Sequence, residues 1–491
     1  MKKKNKQLLN LSLLLICILL GASSFNKLST KALLDENQNQ YSLNSIDRSS
    51  WEWSSTEVIS TDSSEDSYMP VIVVDSLEKV HITWFDNTNY SNCGTDKDIF
   101  YKNWDESTSI WSTTEVVSTE STEASYSPVI AADSLGNIHI AWEDFTNYAG
   151  AGPFDSDIFY KRWVVENSSW TTTEVVSTES GSYSRFPSLD VDSMNNVHIA
   201  WEDNTDYNGA GPEFDIFYKR WNATTLAWTT TEVVSTESIG NSFAASLALD
   251  TNYDAHIAWY DESDYDDSGT DTDIFYKWWD SQSTSWNPTE VVSTESTNSS
   301  EEPDLTVDIS GNIHVAWMDL IAYDPSGDDW DIFYKRWNSS DSSWTASEEV
   351  STGSTIYSLE PSLVADITGD IHITWEESEE FEGSGPDNDI MYRRLDISSS
   401  SWSALEVVST ESTAYSQNPS IAINNLGYIH IVWDDHTDYS GSEGDRDIFY
   451  KFLASPPHST EKTGIDIGTI GVIMILGLIT IFIKKRKSVR I

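Results

Sequence analysis

Apolar and polar residues alternate in a short segment that recurs seven times along the chain. In the second copy, residues 137–144, the isoleucines and the tryptophan fall on one side of an extended strand, and the histidine and the alanine fall on the other. A histidine and a tryptophan three residues apart mark every copy: His81 and Trp84, His139 and Trp142, His198 and Trp201, His256 and Trp259, His314 and Trp317, His372 and Trp375, His430 and Trp433. The copies follow each other at 58 residues, with one step of 59. A fixed period of this size predicts repeated supersecondary units.

Each repeat contains three more short runs that are rich in β-branched and aromatic residues. One run precedes the marked segment, as at 187–192, and two follow it, as at 215–221 and 228–235. Gly, Ser, Asn and Asp bound the runs, which is typical of strands, and no segment within the repeats has a helical period. Four strands in each of seven units predict an all-β, seven-bladed β-propeller over residues 51–453.

The first and last repeats are incomplete in complementary ways. The seventh repeat has its first three runs, at 419–424, 428–435 and 446–453, but no fourth run. Residues 53–60 match the fourth run and precede the first repeat. We therefore expect the N-terminal strand to complete the last blade, because this closes the ring and leaves no open sheet edge.

The N-terminal segment predicts export. Residues 1–24 combine a lysine-rich start, an apolar run and small residues at a cleavage point, as a secretory signal peptide does. An uncleaved anchor is the alternative. The polar residues 25–50 are interpreted as a linker.

The C-terminal segment predicts membrane attachment. After a linker at 454–463, residues 464–483 are apolar enough for a transmembrane helix, and the basic tail 484–491 places the C-terminus in the cytoplasm. A buried core helix is the alternative. The chain is thus predicted to be a single-pass protein of the cell membrane with an extracellular propeller.

Charge narrows the range of partners. The formal net charge is −52, from 80 acidic residues against 28 Lys and Arg, which argues against nucleic acid and favours cations or basic surfaces. The content of 38% hydrophobic residues with 22 Trp and 22 Tyr permits a large core. Of the two cysteines, Cys17 lies in the leader, so Cys93 has no disulfide partner in the mature chain.

Acidic loops supply the strongest candidate site. If the strands are named A to D from the channel outward, the B–C and D–A loops share one face, which we expect to point away from the cell. The B–C loops open with an acid and close on Asp-x-Asp, or on Glu213 and Asp215 in the third repeat. Carboxylates with glycine turns suit Ca²⁺ as a cofactor. No loop matches an EF-hand, so solvated acidic loops are the alternative. The calcium candidates are Asp144, Asp155, Asp157, Asp261, Asp271, Asp273, Asp435, Asp445 and Asp447.

Two further residue sets have simpler interpretations. One histidine per blade would lie too far from its equivalents to share a metal ion, so we predict seven core histidines that are hydrogen-bonded to the backbone. Asparagines in Asn-x-Ser/Thr sequences are candidate glycosylation sites in an exported protein. They are Asn89, Asn167, Asn222, Asn298 and Asn338.

The order of the runs resembles the sialidase-like propeller repeats of secreted proteins, over nearly all of 51–453. The tryptophan of that family's Asp-box, Ser-x-Asp-x-Gly-x-x-Trp, recurs here, but its glycine and spacing do not; residues 338–344 are a degenerate version. The resemblance implies that sialidase activity would need an arginine triad. The arginines at 162, 220, 336 and 394 share one outer-strand position, and only Arg185 lies near the start of an inner strand. Sialidase activity is therefore not expected, and no catalytic residue is assigned.

Three functions are compatible with these features. The first is a cell-surface binding, adhesion or scaffold module that contacts glycans, proteins or cations through its acidic face. Seven similar blades favour it, because equivalent groups spread around a ring allow multivalent contact. The alternative is an extracellular polysaccharide hydrolase or lyase, which would need an asymmetric site with convergent carboxylates. A purely structural envelope component is the third.

Overall fold

The computed structural model describes residues 51–454, except 106–107, 149–154, 267, 270, 321–328, 382–384, 386 and 440–443. The predicted signal peptide, first linker, transmembrane helix and basic tail lie outside the described residues. Within them, 35 strands form seven five-stranded antiparallel sheets, and no helix is long and apolar enough to cross a membrane. The predicted all-β, seven-bladed β-propeller is confirmed.

Each blade has three long strands, A to C from the channel outward, and a short outer D strand. The A strands are Ser67–Val74, Ser125–Ala132, Ser184–Val191, Ser242–Leu249, Ser300–Val307, Ser358–Ala365 and Ser416–Ile423. The B strands are Val80–Asp86, Ile138–Asp144, Val197–Asp203, Ala255–Asp261, Ile313–Asp319, Ile371–Glu377 and Ile429–Asp435. The C strands are Asp98–Asp105, Asp157–Val164, Asp215–Asn222, Asp273–Asp280, Asp331–Asn338, Asp389–Asp396 and Asp447–Ala454.

The outer strand differs from the prediction, because it is split into two pieces of two residues that both pair with strand C. From blade 1 to blade 6 these pieces are Ile110–Trp111 with Glu115–Val116, Ser169–Trp170 with Glu174–Val175, Ala227–Trp228 with Glu232–Val233, Ser285–Trp286 with Glu290–Val291, Ser343–Trp344 with Glu348–Glu349, and Ser401–Trp402 with Glu406–Val407. In blade 7 they are Glu52–Trp53 and Glu57–Val58, which pair with Ala454 and Tyr450 at the other end of the chain. The predicted closure of the ring by the N-terminal strand is confirmed.

The core lies between neighbouring blades. Strand B is buried along its whole length in six blades and at all but Tyr260 in the fourth. Each apolar cluster joins two blades; for example, Tyr160 of blade 2 packs in one cluster with Trp201 of blade 3. Neighbouring blades cover both faces of each blade. Strand B therefore has apolar residues on both faces of the sheet rather than on one face only.

A β-bulge occurs at the same place in all seven A strands. The third residue of each has a left-handed backbone, with φ between 45° and 52°, and the register with strand B shifts there. Six of the seven bulges precede a proline, which disfavours the right-handed helical conformation. The bulged residues are Met69, Ser127, Phe186, Ala244, Glu302, Glu360 and Asn418.

Register places three strand ends together on one face. Ser184 at the start of strand A lies opposite Asp203 at the end of strand B, which lies opposite Asp215 at the start of strand C. The B–C and D–A loops therefore share this face, as the strand order predicted. We call it the loop face.

Candidate functional site

Four positions of every blade lie at the centre of the loop face, and their residue types differ from blade to blade. The second residue of strand A is Tyr68, Tyr126, Arg185, Phe243, Glu301, Leu359 or Gln417, and the third is the bulged residue. The residue after the B-strand tryptophan is Phe85, Glu143, Glu202, Tyr260, Met318, Glu376 or Asp434. The residue before strand C is Lys97, Ser156, Phe214, Thr272, Trp330, Asn388 or Arg446. We call these residues together the opening.

The immediate neighbours of these positions hardly vary. Every A strand begins with serine, every B strand ends with an acid after a fixed tryptophan, and every C strand begins with aspartate. The constant residues hold the blades in register, and the variable ones give a ring of repeated units a single asymmetric surface. A ligand of low symmetry can be recognised only by such a surface.

Two adjoining cavities occupy the opening. The central one measures about 550 Å³ and is lined by the bulges of all seven blades together with Glu202 and Tyr260. The second measures about 610 Å³ and lies over blades 1 to 3, with Glu143 and Phe214 in its wall. They share Met69, Ser127, Arg185 and Phe186. Cavities of this volume can hold a small-molecule ligand or a segment of a polymeric ligand.

Blades 1 to 4 supply an aromatic sector, formed by Tyr68, Phe85, Tyr126, Phe186, Phe214, Phe243 and Tyr260. Tyr68 and Phe85 stack with ring centroids 5.1 Å apart, and Phe243 lies 5.4 Å from Tyr260. The ammonium of Lys97 lies over three of these rings, at 4.9, 4.8 and 4.7 Å. Lys97 is therefore a cation that the protein already holds against the aromatic sector, because the faces of aromatic rings attract positive charge.

Blades 5 to 7 supply an acidic sector, formed by Glu301, Glu302, Glu360, Glu376 and Asp434. Asp434 accepts hydrogen bonds from the Met69 backbone N–H at 3.0 Å and the Asn418 amide at 2.9 Å, and pairs with Arg446 at 3.3 Å. Burial nevertheless raises the pKa of Asp434 to about 7, since Arg446 offsets only part of the loss of hydration. Glu376 accepts hydrogen bonds from Asn388 and Gln417.

Two carboxylates of this sector have no such compensation. Among the described residues, no cation or hydrogen-bond donor contacts the carboxylate of Glu302 or Glu360. Burial, and then the charges of Glu360, Glu202 and Glu301, raise the pKa of Glu302 to about 8. Desolvation by the surrounding protein, and then the charge of Glu376, raise the pKa of Glu360 to about 7. The surface of Glu360 is nevertheless open to the cavity, where water screens its charge more than it screens the half-buried Glu302.

A third group of charges lies on blades 2 and 3, within the aromatic sector. Glu202 pairs with Arg185 at 3.2 Å, and the guanidinium of Arg185 lies 4.1 Å from the ring centre of Phe214. Burial raises the pKa of Glu202 to about 7, although Arg185 acts in the opposite direction. Glu143 is likewise buried, and its pKa is also raised to about 7. The positive charge of Arg185 thus acts on both carboxyl groups, and only Glu202 forms an ion pair with it.

The predicted calcium candidates at strand ends have a structural role. Asp144 receives hydrogen bonds from Ser125, Trp142, Ser121 and the backbone of Thr146, which use both of its oxygens. Asp261 and Asp435 repeat this pattern. Asp157, Asp273 and Asp447 each accept a hydrogen bond from a serine that lies two residues after the end of strand D.

The remaining calcium candidates are Asp155, Asp271 and Asp445. Each lies two residues before the first residue of strand C and is half-buried. Within the described part of the chain, no three metal-ligating side chains come together. Calcium binding therefore stays a prediction, as does glycosylation. Of the candidate asparagines, Asn89, Asn167 and Asn298 are exposed, and Asn222 and Asn338 are half-buried.

The seven B-strand histidines lie in the core, but their partner is not the backbone. Nδ1 of His198 lies 2.6 Å from the Tyr218 hydroxyl, and the same pair recurs in all seven blades. In blade 3, Nε2 lies 3.6 Å from Asp192 of the A–B turn. Burial lowers the pKa of His198, so the ring is neutral at pH 7. The prediction missed the tyrosine because it lies 20 residues away, on strand C.

Sequence reasoning also missed the opening itself. It treated the blades as close copies and counted Arg185 as the only arginine near an inner strand. Arg446 lies there as well, with its guanidinium 4.8 Å from the ring centre of Tyr68. The signal was present: when the repeats are aligned on their tryptophans, the next residue is aromatic, acidic or methionine in different blades while its neighbours stay constant.

Comparison with known proteins supports the fold. No family model and no curated protein matches the sequence. Among solved structures, a fungal alcohol oxidase of the AA5 family in complex with copper matches with a TM-score of 0.51 at 12% identity, over 83% of this chain and 77% of that one. A Dyadobacter fermentans protein of unknown function matches with a TM-score of 0.50 at 10% identity, over 83% of this chain and 100% of that one.

The NanB sialidase of Streptococcus pneumoniae also matches, with a TM-score of 0.43 at 12% identity, over 82% of this chain and 70% of that one. The seven sheets of the described residues form a seven-bladed β-propeller, and the predicted resemblance to sialidase-like propellers is a resemblance of fold. Identities this low concern the fold alone, so chemistry must be argued from the opening.

Proposed function

We propose that this protein is an exported, membrane-attached β-propeller that binds a saccharide in the opening of its loop face. The observation that carries the proposal is the placement of an aromatic sector opposite an acidic sector, at positions where otherwise similar blades differ. Aromatic rings pack against the apolar face of a sugar, and carboxylates accept hydrogen bonds from its hydroxyl groups. A cavity with both kinds of wall recognises a sugar by its shape and by its hydroxyl pattern.

A glycan array probed with the full-length protein tests this function. Phe186 lies in the wall of both cavities with 43% of its surface exposed, so Phe186→Ala should weaken binding by about ten-fold. Leu226→Ala is the matched control, because Leu226 is 67% exposed in a C–D turn, on the other face. Absence of glycan binding, or equal binding by both variants, would contradict the proposal.

Export and membrane attachment are proposed from residues 1–24 and 464–483. Protease treatment of intact cells tests them. We expect degradation of the propeller and protection of a tag placed after residue 491. Protection of both parts would contradict the proposed topology.

A polysaccharide hydrolase or lyase is the second candidate, and the carboxyl group of Glu302 favours it. A pKa of about 8 keeps this group largely protonated near neutral pH, as a general acid requires. A screen of polysaccharides for turnover tests this candidate. Turnover that Glu302→Gln abolishes would rank it above simple binding.

A further inference from the structure

Six of the seven A–B turns expose an aliphatic or methionine side chain at their tip. In the turn of blade 4, the exposed Asn252 lies at the tip instead. Tight turns ordinarily carry Gly, Asn, Asp or Ser at such positions, so the folding of the turn does not require the apolar residues. Each of the six is between 49% and 66% exposed: Leu77, Leu135, Met194, Ile309, Ile367 and Leu426.

The position of the apolar residue varies as well as its type. In blades 1, 2, 3 and 7 it lies two residues after the Asp or Asn that opens the turn, as Leu135 follows Asp133. In blades 5 and 6 it lies one residue after, as Ile309 follows Asp308. A copied turn sequence would keep one position. The feature that these turns share is therefore the apolar tip itself.

Neighbouring A–B turns contact each other, so the six side chains belong to one surface. Ser134 donates a hydrogen bond to the side-chain oxygen of Asn195 in the next turn, at 2.7 Å, and the Asn425 amide donates to Glu78 at 2.9 Å. Since strand A is the innermost strand, the turns surround the mouth of the channel. We call the six side chains the apolar rim, and the face that carries the A–B and C–D turns the turn face. Apolar patches with a polar surround mark contacts with proteins or membranes.

The turn face exposes few charges, although the chain has a net charge of −52. Among the described residues of the A–B and C–D turns, the only exposed acids are Glu166 and Asp341, both in C–D turns. Asp133, which opens an A–B turn, is buried and accepts hydrogen bonds from the backbone N–H groups of Leu135 and Asn137 at 2.9 and 2.8 Å. This face can therefore approach an apolar phase without the cost of dehydrating many charges.

The chain leaves the propeller on the same face. Strand C of blade 7 begins at Asp447 on the loop face and ends at Ala454 on the turn face. Residues 455–463 then lead to the apolar segment 464–483, and a chain of that length spans at most about 30 Å. A second copy of the chain that faced the apolar rim would have to share this space with two such segments. The exit point thus favours lipid as the occupant.

We propose that the apolar rim rests on the lipid surface of the membrane, with the opening directed outward. This inference rests on the proposed membrane attachment. Apolar side chains of a peripheral surface bind at the boundary between lipid headgroups and acyl chains, with a strength that scales with the apolar area buried. A short tether holds the rim at high effective concentration beside the lipid, so even weak contacts with the membrane are populated.

Fluorescence quenching in vesicles tests the inference. Full-length protein, with both cysteines replaced by serine, is placed in phosphatidylcholine vesicles that contain a lipid with a spin label on its acyl chain. A fluorophore is attached at Leu135→Cys in the apolar rim. The matched control carries it at Ile239→Cys, since Ile239 is 84% exposed in a D–A loop of the loop face. We expect about a two-fold loss of fluorescence at residue 135 and none at residue 239, because apolar groups at a membrane surface lie about 5–10 Å below it.

Asparagine variants test whether the apolar side chains hold the rim on the lipid. Leu77→Asn and Met194→Asn, made together, remove the apolar tips on both sides of residue 135. Blade 4 shows that the turn accepts asparagine at this position, since Asn252 lies there. The double variant should restore most of the fluorescence at residue 135, because less apolar area is buried. Ile239→Asn is the matched control and should leave the quenching unchanged.

Flotation of the same vesicles separates this inference from the attachment on which it rests. Protein that floats with the vesicles and shows no loss of fluorescence at residue 135 would overturn the lipid contact and leave the attachment intact. Equal losses at residues 135 and 239 would overturn it as well, because neither face would then be preferred. A disulfide between two copies of unlabelled Leu135→Cys, without quenching, would overturn it in favour of a second copy of the chain. Protein that does not float would overturn both.

Discussion

Trp53 donates a hydrogen bond from its indole Nε1 to the carboxylate of Glu406, at 2.9 Å, although 353 residues separate the two along the chain. The same bond joins the outer strand of each blade to the blade before it. Trp111, for example, donates to Glu57 at 2.8 Å. The N-terminal segment therefore takes part in two of these joints, and the ring closes through the same contacts that join any other pair of blades.

Because these hydrogen bonds between blades are equivalent, removing any one of them should lower the free energy of unfolding by the same amount. Trp53→Phe and Trp228→Phe each lose one hydrogen bond and some packing, because the phenyl ring is smaller than the indole. We expect the lost hydrogen bond alone to lower the free energy of unfolding by about 1 kcal/mol in each variant. Urea unfolding followed by circular dichroism measures both. A loss for Trp228→Phe with none for Trp53→Phe would mean that the N-terminal strand does not hold the ring closed.

A lysine of strand C makes a second contact between blades. Lys277 is buried and donates to the Val234 carbonyl at 2.9 Å, Thr236 at 2.8 Å and Glu237 at 2.6 Å. Lys277→Met should destabilise the protein by roughly 2–4 kcal/mol, because it leaves these acceptors of the preceding blade without their donor. Chemical denaturation measures the loss.

Blade 6 supplies the control for this prediction. Arg393 replaces the lysine there and donates to the Val350 carbonyl at 2.6 Å and Thr352 at 2.9 Å. Lys277→Arg should therefore keep the backbone contact and cost less than half as much as Lys277→Met. Equal losses would show that side-chain shape, and not the donated hydrogen bonds, stabilises the joint.

The pair of histidine and tyrosine in each blade should matter for folding. Tyr218→Phe removes the hydroxyl group 2.6 Å from Nδ1 of His198 and leaves a buried ring nitrogen unsatisfied, so we expect a loss of about 1–3 kcal/mol. Denaturant unfolding checks this value. Tyr415→Phe is the control, since Tyr415 is 54% exposed and should change stability by less than about 0.5 kcal/mol. If Tyr218→Phe did not change the free energy of unfolding, the pair would have no role in stability.

The fold could be predicted because its determinants are local and repeated. The period of His139 and Trp142 gives the number of blades, and the orphan run at 53–60 gives the closure. The split of the outer strand could not be predicted, because the residues between its two pieces have no pattern that distinguishes a strand from a bend. The hydrogen bond between His139 and Tyr160 was also out of reach, since strand register decides it.

The candidate site was harder to predict for a different reason. Repetition draws attention to what the blades share, and shared residues such as Asp144 build the strand ends. The opening consists of what they do not share, such as Phe186 and Glu302 at one equivalent position. These side chains meet at one cavity for two reasons. The ring closes, which could be predicted, and each A strand has a bulge, which a single sequence does not reveal.

Stability should respond to pH through Glu302 in a direction opposite to that of most acids. Its pKa is about 8 in the folded protein, against an ordinary value of 4.5, first because of burial and then because of the charges of Glu360, Glu202 and Glu301. The folded state therefore holds more protons than the unfolded state between these two values, and stability falls as the pH rises through this window.

Glu302→Gln removes this dependence. We expect the variant to match the parent protein near pH 4.5 and to melt roughly 1–2 °C higher at pH 8, where the parent carries the repelling charge. Scanning fluorimetry across this range measures the difference. Glu123→Gln is the control, because Glu123 is an exposed acid of a D–A loop outside the opening. A variant that melts below the parent at pH 8 would mean that the carboxylate of Glu302 is stabilised by a cation.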